Sequence, residues 1–147
     1  MGAYRTVVVG TDGSDSSMRA VEKAAQIAGE DAKLIVASAY LPQHEDARAA
    51  DALRDESYKV SGTAPIYAIL RDAKDRAHAA GAKNIDERPI VGAPVDALVH
   101  LAEEEHADLL VVGNVGLSTI AGRLLGSVPA NVSRRAKTDV LIVHTTS

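Results

Sequence analysis

Two rhythms of apolar and polar positions alternate along the chain. Thr6-Val-Val-Val-Gly10 is a short continuous apolar run, the pattern of a strand covered on both faces. Val21, Ala24, Ala25 and Ala28 then recur at helical spacing, with Ser14 or Asp15 as the cap in front and Gly29 as the stop. Lys33 to Tyr40 returns to the strand pattern. Leu41 to about Glu56 is polar and fits a loop or a loose helix. Helical spacing resumes from about Tyr58 to Ala80, with Gly81 as a C-terminal cap, while Gly62 and Pro65 break or delay the first turn. In Asn84 to Val91, Ile85, Glu87 and Pro89 alternate with Asp86, Arg88 and Ile90. Pro89 cannot donate a ladder hydrogen bond, which places this strand toward an edge. Gly92-Ala-Pro94 opens a third helix, with Pro94 suited to its first turn. Asp108 to Gly113 reads as another fully buried strand. Asn114 to Gly126 is a Gly-rich loop or short helix, Ser127 to Ala136 a last helix, and Asp139 to His144 a last strand.

The resulting order, βαβαβαβαβ, predicts an α/β fold: an open five-stranded parallel sheet, Rossmann-like, with helices on both faces and right-handed crossovers. The length of 147 residues fits one domain spanning 1–147, with no repeat or low-complexity linker. In such sheets ligands bind beyond the carboxyl ends of the strands, where the strand order reverses. Those ends are Gly10-Thr11-Asp12, Ala39-Tyr40 and Gly113-Asn114. Glycine and aspartate there serve a binding site, and they serve tight turns equally well.

Composition narrows the partners. Phe, Trp and Cys are absent, so the core is aliphatic and there is no disulfide, thiolate metal site or cysteine nucleophile. This suits a reducing cytoplasm, the expected location. The net charge is −4, and the densest basic cluster is Arg134, Arg135 and Lys137, which argues against nucleic acid as a partner. The longest apolar run, Leu109 to Gly113, is too short to cross a bilayer, so no membrane is expected. Gly2 and Thr6 formally meet a myristoylation pattern, but Thr6 and the valines after it read as a strand.

The richest stretch is Gly113-Asn114-Val115-Gly116, followed after nine residues by Gly126-Ser127. Gly113 ends an apolar strand and admits a ligand to the backbone. Gly116 permits a turn, and Gly126 and Ser127 open a helix whose unpaired N–H groups suit an anion. Phosphate is the natural guest; alternatively the glycines only shape turns and Ser127 only caps the helix. Neither G-x-x-x-x-G-K-[S/T] nor G-x-G-x-x-G after a strand occurs. Thr11 to Ser16 echoes a pyrophosphatase loop, but Asp12 sets a carboxylate where that loop needs glycine.

The pattern G-x-x-G, nine residues, G-[S/T] resembles that of the nucleotide-binding universal stress proteins. Val7 to Ser14, Gly92 to Pro94 with Ala102, Asp108 to Gly113 and Asp139 to Val143 resemble further segments of that family, so the likeness spans nearly the whole chain. The resemblance implies the sheet order 3-2-1-4-5 and a homodimer through the last strand, Asp139 to His144, whose edge would otherwise be open to pairing. It also implies an adenine nucleotide as ligand, cyclic AMP or ATP, with Mg²⁺ accompanying ATP only. Asp12 with Gly113 would bind the ribose hydroxyls, the backbone near Ala39 the adenine edge, and Gly10 would let the base or ribose approach. Asn114 belongs to the same loop. Gly116, Gly126, Ser127 and Val128 would hold phosphate. Val115 departs from the family pattern, where His or Arg is frequent. Pro129 departs too, removing one N–H from the first helical turn. Arg123 is the only charged residue between Gly113 and Ser133. A single charge suits the compact phosphate of cyclic AMP better than a triphosphate, and the chain is similar to the subgroup that binds cyclic AMP as well as ATP. With cyclic AMP, whose 3′-oxygen is esterified, Asp12 would meet the 2′-hydroxyl.

No Asp, Glu or His lies between Gly113 and Ser133, so no catalytic residue is assigned. The expectation is a sensor or reservoir acting in a stress response. The alternatives are a weak ATPase or nucleotidyl-transferring enzyme and a ligand-free interaction protein. The histidines (His44, His78, His100, His106, His144) show no i,i+4 pairing with carboxylates, and Glu103-Glu104-Glu105 reads as a solvated helix face. His44-Glu45-Asp46 reads as a solvated loop rather than a metal ligand set, and no metal site is expected.

Overall fold

The structure is a computed structural model that describes residues 4–40, 64–113 and 136–144. It contains β1 (Thr6–Gly10), α1 (Asp15–Ala28), β2 (Lys33–Tyr40), α2 (Ala64–Ala79), β3 (Asn84–Val91), α3 (Pro94–Glu104), β4 (Leu109–Gly113) and β5 (Asp139–Val143). The five strands form one parallel sheet in the order β3-β2-β1-β4-β5, the order that the resemblance implied. The segment from Leu41 to Glu56, the expected helical residues before Ala64 and the Asn114–Gly126 stretch lie outside the described residues. So does the expected last helix, except for Ala136, which stands in non-helical chain.

The period of two along each strand sorts side chains onto two faces. On one face Val7, Val9, Leu34, Val36, Leu109 and Val111 pack with α1 and α2, including Met18, Val21, Ala25, Leu70, Ala73 and Ala77. On the other face Val8, Ile35, Ala37, Leu110 and Val112 pack with Leu98, Leu101 and Ala102 of α3. Two buried faces explain why β1, β2 and β4 read as unbroken apolar runs. β3 stands at the sheet edge, as Pro89 required, and its central residues are only half buried.

Helix boundaries follow local chemistry. Ser14 caps α1 by accepting from the Ser17 N–H, and Asp15 in the first turn complements the helix dipole. Gly29 closes α1, its N–H donating to the Ala25 carbonyl. α2 begins at Ala64 with Pro65 in its first turn, and the Gly81 N–H donates back to the His78 carbonyl. Arg76 joins α2 to α1 through Glu22 at 3.6 Å. β4 starts at Leu109, one residue later than expected. The Asp108 side chain is occupied instead: its Oδ2 accepts from the N–H groups of Arg5 and Thr6 at 2.9 and 3.1 Å, aligning β4 with the start of β1. β5 ends at Val143 rather than His144.

Two further expectations are corrected. His100 does pair with a carboxylate one turn on: its Nε2 lies 3.2 Å from Glu104 Oε2 on the exposed face of α3. Glu103 and Glu104 are exposed, but Glu105 is half buried and accepts from Arg88 at 2.7 Å, with Lys33 at 3.8 Å. It fastens the end of α3 to β3 and β2, a tertiary role that sequence spacing could not show. The hydrogen bond from Arg88, aided by the charges of Arg88 and Lys33, holds the Glu105 carboxyl below the usual carboxylate value against desolvation and the nearby Asp86.

Candidate functional site

The strand order reverses at β1, which pairs with β2 on one side and β4 on the other. In this topology the crevice above the carboxyl ends of these strands is where a ligand fits. Register places the relevant residues there. Gly10 pairs with Ala37, two residues before Ala39, and Val9 pairs with Val111, two residues before Gly113. Gly10 and Gly113 are buried, and Ala39 is half buried. The sheet thus brings Gly10, Ala39 and Gly113 to the same end, on three adjacent strands.

Asp12 reaches that end through the β1–α1 turn. The Thr11 N–H extends the ladder by one bond, donating to the Ala37 carbonyl at 2.9 Å. The chain then turns. Asp12 Oδ1 accepts from the Ser14 N–H at 2.9 Å, an Asx-type turn, and from the Ser17 hydroxyl at 3.0 Å. Thr11 Oγ1 accepts from the Gly13 N–H at 3.1 Å and lies 2.7 Å from Ser17 Oγ. Gly13 has φ +89°, and a Cβ there would meet Ile69 Cγ1 of α2 at 3.0 Å. The turn is therefore fixed by α1 beneath it and α2 against it.

Asp12 remains half buried, so a carboxylate is held at the crevice with its orientation set by two hydrogen bonds. Such a group accepts from hydroxyls and repels phosphate. Asn114, Val115, Gly116, Arg123, Gly126, Ser127, Val128 and Pro129 lie outside the described residues. Ser17 was not singled out from sequence; Thr11 entered only as part of the strand end Gly10-Thr11-Asp12 and of the pyrophosphatase echo.

An open depression of about 460 Å³ is bordered by Tyr67, Ala68, Arg71, Asp72 and Asp75 of α2. Among the described residues there is no cluster of three or more metal-ligating side chains, and no helix is long and apolar enough to cross a membrane.

The universal stress protein family model matches residues 3–144. The chain belongs to the universal stress protein family. It is 87% identical over 146 residues to a universal stress protein of Mycobacterium tuberculosis strain H37Rv, covering 99% of this chain and 100% of that one. A universal stress protein crystallised in complex with cyclic AMP is 68% identical, with a TM-score of 0.76 over 99% of this chain and 100% of that chain. An Arabidopsis thaliana member of the family with AMP bound is 19% identical, with a TM-score of 0.69 over 97% of this chain and 93% of that chain; at that identity it supports the fold.

Proposed function

We propose that this universal stress protein binds an adenine nucleotide, cyclic AMP or ATP, at the carboxyl ends of β1, β2 and β4, and serves as a sensor or reservoir without turning its ligand over. The observation that carries the reading is the Asp12 carboxylate, held by Ser14 and Ser17 at the point where the strand order reverses. The relative at 68% identity that was crystallised with cyclic AMP supports it.

Asp12 accepts the ribose hydroxyls beside Gly113, Ala39 meets the adenine edge with its backbone, and Gly10 gives the ligand room. Gly116, Gly126, Ser127 and Val128 hold the phosphate, with Arg123 as the one nearby cation in sequence. Val115 and Pro129 lower the positive field and the number of amide donors relative to a triphosphate site, so cyclic AMP is the favoured ligand. ATP, with Mg²⁺ on its own phosphates, is the second.

The chain acts as a cytoplasmic homodimer joined through β5. The support is that β5 closes one end of the sheet order and leaves Ile142 41% exposed, an edge that pairing with a second copy would cover.

Calorimetric titration of nucleotide-stripped protein with cyclic AMP, ATP and GTP, with and without Mg²⁺, tests this reading. The expected result is Mg²⁺-independent binding of cyclic AMP, weaker ATP, no GTP and no hydrolysis products. Preference for Mg·ATP with product formation would overturn the ligand order and the absence of turnover; no binding of any nucleotide would overturn the function.

A further inference from the structure

We propose that Ser17, which is too deep to touch a ligand, is the positioning residue that aims the Asp12 carboxylate at the ribose 2′-hydroxyl. The proposal rests on the reading of Asp12 as the ribose acceptor. Ser17 is fully buried at the third position of α1. In a capping box the side chain at this position turns back to the N–H of the cap residue. Here that N–H, of Ser14, donates to Asp12 Oδ1 instead, at 2.9 Å. The Ser17 hydroxyl turns the same way and meets Asp12 Oδ1 at 3.0 Å. Both bonds converge on one carboxylate oxygen, one from the cap residue of α1 and one from its first turn. Together they set the plane of the carboxylate.

The hydroxyl's single proton has three acceptors within reach: Asp12 Oδ1, the Ser14 carbonyl at 3.0 Å and Thr11 Oγ1 at 2.7 Å. An ionised carboxylate is the strongest of the three acceptors, because the hydrogen bond to it is charge-assisted. Thr11 Oγ1 accepts from the Gly13 N–H, and in its 2.7 Å contact with Ser17 Oγ either hydroxyl can donate. With the Ser17 proton on Asp12, Thr11 is left to donate to Ser17 Oγ, an order that satisfies both buried hydroxyls. Ser17 Oγ also accepts from the Asp12 N–H at 3.2 Å, so it holds this residue by both main chain and side chain.

Helix stability alone does not call for serine here. Ser14 already caps the Ser17 N–H at 3.1 Å, and alanine is the better helix former inside the first turn. A buried hydroxyl costs stability unless it is bonded, so its presence fits a task at Asp12.

The test is calorimetric binding of cyclic AMP and 2′-deoxy cyclic AMP to the full chain and to Ser17→Ala, Thr11→Val and Asp12→Asn variants, with circular dichroism melts as the check on folding. Wild type should lose about tenfold in affinity when the 2′-hydroxyl is removed, the size of one hydrogen bond to a charged group. Ser17→Ala should weaken cyclic AMP roughly three- to tenfold while leaving the 2′-deoxy ligand nearly unchanged, so that the ratio between the ligands shrinks. Thr11→Val, nearly isosteric, should shrink the ratio in the same direction and decides the matter if Ser17→Ala fails to fold. A variant that weakens both ligands equally, or keeps the full wild-type ratio, would overturn the positioning role. If wild type binds the two ligands equally, or Asp12→Asn keeps the ratio, the ribose reading itself falls, and the proposal with it.

Discussion

Replacing Gly13 by alanine should destabilise the protein by about 2 kcal/mol, through two separable causes. The first is conformational: Gly13 has φ +89°, and a residue with a Cβ in left-handed backbone costs about 1–2 kcal/mol. The second is steric. The new Cβ would lie 3.0 Å from Ile69 Cγ1 and 3.2 Å from Cδ1. Ile69 is partly buried against the α1–α2 core, so giving way means an off-rotamer side chain at about 0.5–1.5 kcal/mol. A smaller unfolded-state entropy gain of about 0.4–1 kcal/mol for alanine offsets part of the sum. Gly29→Ala isolates the conformational part, because a Cβ there would meet nothing within 4 Å; its backbone, at φ +63° and ψ −151°, lies in a region open essentially only to glycine, so the change should cost about 1–3 kcal/mol. Urea melts followed by circular dichroism give both values. In an Ile69→Ala background the cost of Gly13→Ala should fall by about 1 kcal/mol, the steric part alone. An unchanged cost of Gly13→Ala in the Ile69→Ala background would refute the packing of α2 on this turn.

Three further outcomes are expected. Leu110→Ala empties a fully buried site between Val8, Ile35, Leu98 and Leu101 and should cost about 2–5 kcal/mol in denaturant melts. Because the Glu105 carboxyl is held low by Arg88, its contribution to stability is fully present above the ordinary carboxylate value and is lost as pH falls through the lowered folded value. Stability measured against pH should therefore fall more steeply in acid for wild type than for Glu105→Gln. The Tyr4 hydroxyl donates to Asp139 Oδ2 at 3.1 Å, and this bond, with minor help from desolvation and the Asp139 charge, raises the phenol above its ordinary value of 10.0. The associated stability is present below that value and lost as pH rises through the raised one, so Asp139→Ala should lower the pH at which Tyr4 absorbs as phenolate, with Tyr4→Phe as the blank.

The parts of the fold that were legible in the sequence are those whose burial is symmetric. Val7 to Val9 and Leu109 to Val112 read as strands because both faces of the sheet are covered, and Pro89 marked β3 as an edge because a missing N–H is a local fact. What escaped is tertiary. Asp108 looked like the first residue of β4, yet its carboxylate serves the start of β1, across 103 residues of sequence to Arg5. Glu105 looked like one of three solvated acids until Arg88 and Lys33 were folded beside it. The His100–Glu104 pair is different, since its i,i+4 spacing is legible in the sequence itself. Of the site, Gly10, Asp12, Ala39 and Gly113 were marked by their position at strand ends, and register brings those ends together. Ser17 was hidden because a serine three residues after a cap reads as part of the helix start, while its partner, Asp12, sits outside the helix.

The most direct measurement is a crystal structure of this protein grown with cyclic AMP. The ribose should lie over the carboxyl ends of β1 and β4, with its 2′-hydroxyl about 2.5–3.0 Å from an Asp12 carboxylate oxygen and Ser17 still bonded to Oδ1. A nucleotide seated elsewhere, or one that turns its phosphate rather than its ribose toward Asp12, would contradict the assignment of this crevice.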